Sequence, residues 1–373
     1  MYKGTGISKD QLSDDGEPCI LYGELYTKYK SETIREVISK TNIDNTKLVR
    51  SKANDVIIPC SGETAEDIAT ARCVLNGNIL LGGDLNIIRL HRYDGTFMSY
   101  QLNGRRKYDI AKVAQGVSVV HLYGEHLKGV KTINPCLEEQ KKIASLLALL
   151  DERITTQNKI IDRLQSLIKG LNDSLYAQYG DKVLTSFAEL GTSYSGLSGK
   201  SAQDFGSGKP FITYLNVYSN NVINENEFQY VAIKDGEKQN IVEYGDVLFT
   251  LSSETPNEVG IGSVYLGKEK VYLNSFCFGI HITNTEVAFP PFLSYYVSST
   301  AFRKFIYPYA QGSTRFNLCK ADFEKASIKL PTLEKQKRIY SILSHIDSKI
   351  ETERQMLDLY NSQKQYLLRH MFI

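Results

Sequence analysis

The chain has 373 residues, a length that predicts two domains or more. Its hydrophobic fraction of 42%, charged fraction of 23% and net charge of +2 neither require nor exclude a nucleic-acid partner, since local patches of charge matter more than the sum. No apolar stretch reaches the length of about 18 residues that a membrane helix needs, and no signal peptide is visible. We therefore expect a cytoplasmic protein without a membrane partner. The six cysteines are scattered without a Cys-x-x-Cys pair, so no metal site is expected.

The first 134 residues have the pattern of a mixed domain that is rich in short strands. DVIIPC (55–60) and NILLGG (78–83) are short apolar runs of the kind that forms buried strands. A compact basic run, GRRKY (104–108), and a glycine-containing loop, AQGVSVVH (114–121), follow. We predict an α+β domain over residues 1–134.

A long helix is predicted over residues 135–180. Pro135 precedes it, where the missing N–H costs little, and its apolar positions then alternate steps of four and three residues. A polar residue, Gln157, interrupts this heptad seam. A helix of about 40 residues is about 60 Å long, which is too long for one small domain to cover. The seam residues are Ile143, Leu147, Leu150, Ile154, Ile161 and Leu164.

Residues 181–330 repeat the pattern of the first domain in the same order. GEPCILYGELY (16–26) returns as GKPFITYLNVY (208–218), and the segment from Asp55 to Thr64 returns as DVLFTLSSET (246–255). The strand-like run FCFGIHI and short helical patterns around Pro291 to Tyr296 and Thr300 to Phe305 follow. We predict a second α+β domain here.

A second long helix is predicted over residues 331–373. PCLEEQKKI (135–143) returns as PTLEKQKRI (331–339), and the polar interruption returns as Glu353, the same 196 positions after Gln157. The chain is thus a tandem duplication with a pseudo-twofold repeat. The two helices are predicted to form an antiparallel coiled coil. In this coiled coil, Gln157 and Glu353 either hydrogen-bond across the pair or open the seam locally. An ordinary amphipathic helix on a core is the alternative. The second seam comprises Ile339, Leu343, Ile346, Ile350, Leu357 and Leu367.

No catalytic residue is predicted from the motifs. AFPPF (288–292) resembles the Asn/Asp-Pro-Pro-Tyr motif of amino-methyltransferases, but Phe289 cannot accept the hydrogen bonds of a target amine. GLSGKS (196–201) resembles the end of a phosphate-binding loop, but Tyr194 stands where that loop needs glycine. Ser-Glu-Thr (253–255) is interpreted as a structural turn or an acceptor at a binding face rather than as a catalytic site. The sequence favours binding over catalysis.

Two α+β domains, each followed by a long helix that opens with Pro-x-Leu-Glu-x-Gln-Lys-x-Ile, resemble the specificity (S) subunits of type I restriction–modification systems. The resemblance covers nearly the whole chain, including the ending LLRHMF (367–372). It implies that each domain is a target-recognition domain for one half of a split, asymmetric site in double-stranded DNA. The two helices would set the gap between the half-sites and dock two methyltransferase subunits, which use S-adenosylmethionine. ATP-driven restriction subunits would join to cleave DNA, while the specificity subunit has no catalytic residue and binds no cofactor.

One feature departs from a symmetric duplication. VLTSFAELGTSY (183–194) precedes the glycine-rich loop of the second domain, whereas the first domain begins almost at the matching loop, KGTGISKDQL (3–12). An opening segment with the pattern of an edge strand therefore has no counterpart in the first domain. The chain is then either a truncated or recombined allele, or its C-terminal end covers the gap.

Residues that contact DNA are chosen by their chemistry, because the family does not fix them. Lysine and arginine suit phosphates, and arginine, glutamine, serine and threonine suit base edges. A solvated surface is the alternative for each basic residue, and a fold-determining turn is the alternative for the paired Ala-Gln-Gly loops. The candidates are Lys28, Lys30, Arg105, Arg106, Lys107, Gln115, Ser118, Lys200, Gln311, Ser313, Thr314 and Arg315.

Three other functions are weighed against a specificity subunit. One is a silent or truncated recognition cassette without activity. The second is a coiled-coil structural protein with no nucleic-acid role, and the third is an enzyme built on the GLSGKS or AFPPF fragments. The first would lack partner binding, the second would lack a basic cleft, and the third would show activity as an isolated chain.

Overall fold

The computed structural model describes residues 1–44, 46–116, 119–178 and 182–372. The chain divides into two compact units, unit 1 (Met1–Ile160 with Glu353–Ile373) and unit 2 (Ile161–Thr352). The division passes through both long helices, so each unit contains one globular part and one half of each helix. The predicted boundaries at 134, 180 and 330 instead follow the order of the chain and remain a prediction. No helix in the described ranges is long and apolar enough to cross a membrane.

Unit 1 is built from short strands and short helices that precede the first long helix. Its sheets have the orders β1-β11-β7-β9-β4, β2-β5-β3-β10-β6 and β12-β8. The strands are β1 (Tyr2–Lys3), β2 (Leu12–Ser13), β3 (Glu17–Ile20), β4 (Thr33–Ile34), β5 (Ser39–Thr41), β6 (Val49–Arg50), β7 (Asp55–Pro59), β8 (Ser61–Gly62), β9 (Arg72–Val74), β10 (Leu80–Leu81), β11 (Leu85–Ile88) and β12 (Val120–His121). The helices are α1 (Glu24–Thr27), α2 (Ala65–Ile68), α3 (Gly95–Asn103), α4 (Lys107–Lys112), α5 (Gly124–Lys128) and the long α6 (Leu137–Gln178).

Unit 2 repeats this arrangement with longer strands. Its sheets have the orders β13-β24, β14-β21-β17-β19, β16-β15-β20 and β18-β23-β22. The strands are β13 (Lys182–Thr185), β14 (Gly191–Ser195), β15 (Phe205–Ile212), β16 (Gln229–Val231), β17 (Val247–Thr250), β18 (Ser252–Ser253), β19 (Gly262–Val264), β20 (Tyr272–Leu273), β21 (Cys277–Ile282), β22 (Ala310–Gln311), β23 (Phe316–Leu318) and β24 (Ile328–Pro331). The helices are α7 (Phe187–Leu190), α8 (Tyr214–Ser219), α9 (Pro290–Tyr296), α10 (Thr300–Ile306), α11 (Lys320–Lys325) and the long α12 (Leu333–His370).

Strand register confirms the duplication residue by residue. In unit 1, Ile58 of β7 pairs with Asn86 of β11. In unit 2, Phe249 of β17 pairs with Phe278 of β21 in the same register. Both central strands are fully buried because their apolar runs face packed layers on both sides. The predicted fold class, two α+β domains each followed by a long helix, is confirmed.

The two long helices run antiparallel in unit 1. Leu147 near the start of α6 packs in one cluster with Leu368 near the end of α12. Ten residues further along α6, the Gln157 side-chain amide donates to the Glu353 backbone carbonyl at 3.0 Å, and it also donates to the Glu353 carboxylate. Both side chains are buried. The polar interruptions of the seam therefore hydrogen-bond across the pair and do not open it.

The seam residues follow the burial that the heptads predict. In unit 2, Leu171 of α6 and Leu343 of α12 pack into the same core. Aliphatic seam positions are protected because each faces the partner helix or the adjacent domain. The buried seam residues are Leu147, Leu150, Ile161, Ile339, Leu343 and Ile350, and the half-buried ones are Ile143, Ile154, Leu164, Ile346, Leu357 and Leu367.

Candidate nucleic-acid interface

The repeated helix-opening motif first serves to hold each helix against its own domain. The Gln140 side chain donates to the Pro135 carbonyl at 2.7 Å and accepts from the Asp94 N–H at 2.9 Å. Gln336 repeats both contacts, donating to Pro331 at 2.8 Å and accepting from Phe289 at 2.8 Å. Both glutamines are essentially inaccessible to solvent, so a partner protein cannot contact them.

A tyrosine–aspartate pair fixes each helix a few turns further along. The Tyr100 hydroxyl donates to the Asp151 carboxylate at 2.7 Å in unit 1. In unit 2 the Tyr295 hydroxyl donates to Asp347. Burial and the neighbouring carboxylate both raise the pKa of each tyrosine, so each stays a protonated donor.

Unit 1 adds a buried ionic cluster to this pair. The Lys364 ammonium of α12 lies 2.6 Å from the Glu32 carboxylate and 2.6 Å from the Asp151 carboxylate. The Ser31 hydroxyl also donates to Asp151, at 2.8 Å. Burial raises the pKa of Glu32, with Lys364 opposing that rise. The cluster connects the start of domain one to the last turns of the chain.

The best candidate for a binding surface in unit 2 is a hairpin formed by β22 and β23. Gln311 pairs with Asn317, and Gly312 at the turn has φ +139°, which side-chain-bearing residues rarely adopt. A Cβ at Gly312 would lie 2.1 Å from the Arg315 carbonyl oxygen, so glycine is required there. The hairpin tip projects its polar side chains into solvent: Gln311, Ser313, Thr314 and Arg315 are all exposed.

This hairpin forms one wall of a cleft of about 490 Å³. The Tyr214 and Tyr218 rings on α8 stack with centroids 6.0 Å apart and form the opposite wall. Strand β18 with Glu254 and Glu258 completes the lining next to Thr314 and Arg315.

One of the two acidic residues of the cleft, Glu258, is held in its ionised form. The Tyr218 hydroxyl donates to Glu258 at 2.8 Å, and the Ser253 and Thr255 hydroxyls donate to it at 3.1 and 2.8 Å. These hydrogen bonds lower the pKa of the Glu258 carboxyl, with Tyr218 as the largest cause. Glu258 therefore positions the tyrosine, serine and threonine side chains rather than acting as a proton donor.

The cleft has the mixed chemistry that nucleic-acid recognition uses. Arg315 provides a fork of N–H donors for phosphates or guanine edges, and its guanidinium carbon lies 6.0 Å from the ring centre of Phe276, which is 56% exposed. The tyrosines offer flat apolar faces with polar tips. Thr314 and Gln311 supply neutral donors and acceptors suited to base edges.

Unit 1 has a matching hydrogen-bonded pair of residues with different side chains beside it. Gln115 and His121 exchange two backbone hydrogen bonds of 2.9 and 2.7 Å. They correspond to the paired residues Gln311 and Asn317 of the unit 2 hairpin. The position of Arg315 is taken by Val119, which is 52% exposed. Gln115 is exposed, whereas the candidate Ser118 lies outside the described residues. The two units thus share a scaffold and differ where a ligand would contact them.

The other basic candidates are not gathered at the hairpins. The Lys28 ammonium binds the buried Glu24 carboxylate at 2.6 Å, and Lys30 is exposed nearby in sequence. The Lys200 side chain is only 6% exposed and binds the Glu237 carboxylate at 2.6 Å and the Ala232 carbonyl at 2.6 Å. Lys200 therefore stabilises the domain and has no free donor directed to solvent.

The basic run of unit 1 lies against the second long helix. A Cβ at Gly104 would meet the Leu368 carbonyl of α12 at 2.6 Å. Arg105 is exposed, Lys107 is half-buried, and Arg106 pairs with Asp109 at 3.4 Å. This places the three basic residues beside the end of the coiled coil rather than on the hairpin of Gln115.

Sequence reasoning did not select the tyrosines or Glu258. The available signal was the repeat of GEPCILYGELY in GKPFITYLNVY, because it places Tyr22 and Tyr26 at the positions of Tyr214 and Tyr218. The pairing of Glu258 with Tyr218 joins residues 40 positions apart and leaves no local pattern. Within the described residues no cluster of potential metal ligands occurs.

The sequence of the chain is similar to those of known specificity subunits. Residues 189–359 match the family model of the type I restriction modification DNA specificity domain. Two specificity subunits from Methanocaldococcus jannaschii are similar to the chain. The candidate type I restriction enzyme MjaX subunit is 28% identical over 309 residues, covering 74% of this chain and 67% of the relative. The type I restriction enzyme MjaVIII subunit is 24% identical over 353 residues, covering 89% and 81%.

Two solved structures share the fold. The S subunit of a type I restriction–modification system from M. genitalium aligns over 100% of this chain and 93% of its own, with a TM-score of 0.56 and 16% identity. A chain from a study of complex assembly and conformational transition in a type I system aligns over 90% and 86%, with a TM-score of 0.57 and 16% identity. The family-model match over residues 189–359 and the two relatives thus make the chain similar to type I restriction–modification specificity subunits.

Proposed function

We propose that this chain is the sequence-specific DNA-binding subunit of a type I restriction–modification complex. Each unit reads one half of a split site through its hairpin and the adjoining helix, α8 in unit 2 and α1 in unit 1. The two halves differ, because Arg315 in unit 2 stands where Val119 stands in unit 1. The observation that carries the proposal is the family match combined with a duplicated scaffold whose exposed hairpin residues differ.

The antiparallel helices are the proposed docking surface for two methyltransferase subunits. The repeated motif is suited to two copies of one partner, because it appears once at the start of each helix. With Gln140 and Gln336 buried, a partner would contact exposed residues of the motif, among them Lys141 and Lys142 on α6 and Lys337 and Arg338 on α12. Restriction subunits that move along and cleave DNA are proposed to join the same complex.

We propose that the chain itself is not an enzyme and binds no cofactor. S-adenosylmethionine and ATP are used by the methyltransferase and restriction subunits. Two motifs with catalytic resemblance have structural roles that support this. The Phe289 N–H of AFPPF donates to Gln336, and Lys200 of GLSGKS is held by Glu237.

Co-expression with its methyltransferase partner tests the function directly. The chain and the modification subunit would be produced together, and N6-methyladenine would be mapped across the host genome by single-molecule sequencing. The expected result is one split motif with two unlike halves around a fixed gap.

Each other outcome has a distinct meaning. A soluble complex without new methylation contradicts the proposal that this chain is an active specificity subunit and favours a silent recognition cassette. Failure to form any complex contradicts the docking role of the helix openings. Arg315→Ala is the variant that tests the cleft, and exposed Lys268→Ala is its control. Of these two residues, Arg315 lines the cleft and Lys268 does not.

A further inference from the structure

One glutamate of the unit 2 cleft is not engaged by the protein. Glu254 comes directly after β18, is exposed, and lines the cleft together with Arg315. Among the described residues, the Glu254 carboxylate forms no ion pair with Arg315 and accepts no hydrogen bond. Glu258 in the same cleft differs, because three hydroxyl groups donate to it. The oxygens of Glu254 are therefore available to accept from a ligand.

The charge of this cleft disfavours the phosphates of DNA. Two carboxylates, those of Glu254 and Glu258, line it against the single guanidinium of Arg315. A phosphate beside Glu254 would meet a like charge, which is unfavourable. Base edges carry no net charge, so they suit the acidic side of the cleft better than the DNA backbone does.

A carboxylate distinguishes among base edges because it only accepts hydrogen bonds. In the major groove, cytosine offers its N4 amino group and adenine its N6 amino group, and both groups donate. Guanine O6 and thymine O4 are acceptors, and an ionised carboxylate has no proton to give them. A base with an amino group is therefore the ligand that matches Glu254.

Unit 1 has the same glutamate after the equivalent strand. Glu63 comes directly after β8, as Glu254 comes after β18, and it is exposed as well. The Thr64 hydroxyl donates to the Asp67 carboxylate at 2.8 Å, which repeats the contact between threonine and the second acid in unit 2. In the part of the chain that the structure describes, Glu63 likewise has no hydrogen bond or ion pair.

A tyrosine lies near these acids in unit 1, as Tyr218 does in unit 2. Burial raises the pKa of the Tyr26 hydroxyl, and the neighbouring Tyr22, Asp67 and Glu63 raise it further. Tyr26 is thus a protonated donor beside the acids. The duplication therefore repeats the acidic and aromatic side of the cleft in both units.

We propose that Glu254 and Glu63 each accept a hydrogen bond from the amino group of a cytosine or an adenine. This role rests on the proposed function, since it assigns a base contact to each unit of a DNA-binding chain. The hairpin side differs between the units, with Arg315 in one and Val119 in the other. The two unlike half-sites therefore have one feature in common, a base with an amino group at the position that contacts the glutamate.

Motif mapping with alanine variants tests both glutamates in the complex with the methyltransferase partner. Glu254→Ala should make one position in one half of the methylated motif accept all four bases, because no acceptor remains for the amino group. Glu63→Ala should do the same in the other half only. Glu286→Ala is the control, since it removes an exposed carboxylate of unit 2 that does not line the cleft, and its motif should equal that of the wild type.

DNA duplexes that lack one amino group test the contact itself. The wild-type motif shows whether the base is cytosine or adenine, and that base would be replaced by an analogue without the N4 or N6 amino group. The wild-type complex should bind the modified duplex about tenfold more weakly than the natural one. The Glu254→Ala complex should bind the two duplexes about equally. Its Tm should lie within about 2 °C of the wild-type value, because Glu254 is exposed and unpaired.

Two results would overturn the role of the glutamates and leave the proposed function intact. One is a split wild-type motif that neither Glu254→Ala nor Glu63→Ala changes. The other is an equal loss of affinity in the wild-type and Glu254→Ala complexes when the amino group is removed. A wild-type complex that methylates no motif would instead overturn the proposed function and the role of both glutamates together.

Discussion

Replacing Lys364 by methionine tests whether the buried ionic cluster stabilises unit 1. The ammonium lies 2.6 Å from both Glu32 and Asp151, and the three side chains are 13%, 8% and 10% exposed. Lys364→Met removes the positive charge while keeping an unbranched side chain that fills the space. Two carboxylates are then left facing each other with little water. The corresponding position in unit 2, 196 residues earlier, is the apolar Ile168.

The expected loss follows from the cost of unpaired buried charge. Removing one member of a buried ion pair costs about 3–5 kcal/mol, because the remaining charge stays desolvated. For a unit of this size, each kcal/mol lowers the Tm by about 2–4 °C, so we expect the Tm of unit 1 to fall by about 6–20 °C.

The loss should also depend on pH. Burial already raises the pKa of Glu32, and in the variant Lys364 no longer opposes that rise, so the pKa of Glu32 lies above its value in the unfolded chain. A group with a raised pKa contributes stability below its unfolded pKa and loses it as pH rises through the folded pKa. The destabilisation should therefore be larger at pH 8 than at pH 5.

Urea denaturation followed by hydrogen exchange measures each unit separately. Amides of unit 1 should lose protection at lower urea in the variant. Lys159→Met, an exposed lysine on α6, is the control and should change stability by less than about 0.5 kcal/mol. The triple variant Lys364→Met, Glu32→Gln, Asp151→Asn should recover part of the loss, since neither carboxylate that faced Lys364 is then charged, while the buried Arg72 guanidinium remains. Equal stability of Lys364→Met and Lys159→Met would refute the reasoning.

Four further predictions concern the coiled coil, the helix openings and the binding surface. Gln157→Leu should destabilise unit 1 by about 1–3 kcal/mol, because the buried Glu353 carboxylate loses the hydrogen bond from the Gln157 amide. The double variant Gln157→Leu, Glu353→Leu should recover this loss in urea denaturation. A double variant as unstable as the single one would contradict the pairing. Gln336→Ala should lower the stability of unit 2 by about 1–3 kcal/mol, since the Phe289 N–H and the Pro331 carbonyl lose their partner, whereas exposed Arg338→Ala should be neutral in thermal denaturation. Arg315→Ala should weaken binding to DNA that carries the methylated motif about tenfold. If Arg315 contacts a phosphate, the slope of log affinity against log salt concentration should also fall in magnitude by about 1. Unchanged affinity at moderate salt would show that Arg315 lies outside the interface. Inserting one heptad after Ile154 and another after Met356 lengthens both helices and keeps Gln157 opposite Glu353. The gap in the methylated motif should become longer while its two halves stay the same. An unaltered motif would contradict the idea that the helices set the gap.

Local pattern was sufficient for the elements that depend on periodicity. The alternation of steps of four and three residues predicted both long helices, because side chains at that spacing fall on one helix face. Gln157 and Glu353 interrupt the two seams at equivalent positions, which left open either a hydrogen bond across the pair or a local opening of the seam, and the structure shows the hydrogen bond. The repeat of Ala-Gln-Gly predicted matching loops, and Gly116 and Gly312 both have positive φ there.

The amino-acid sequence by itself determined the duplication and the two long helices with their apolar seams, and it indicated the resemblance to type I specificity subunits. Tertiary structure decided the role of individual polar residues: the motif glutamines hold their own domains, Lys200 is used inside unit 2, and Lys364 joins Glu32 across 332 positions of sequence. The physical reason is that periodicity reports which face of an element is apolar, whereas the partner of a buried polar group is chosen by chain segments that meet only on folding.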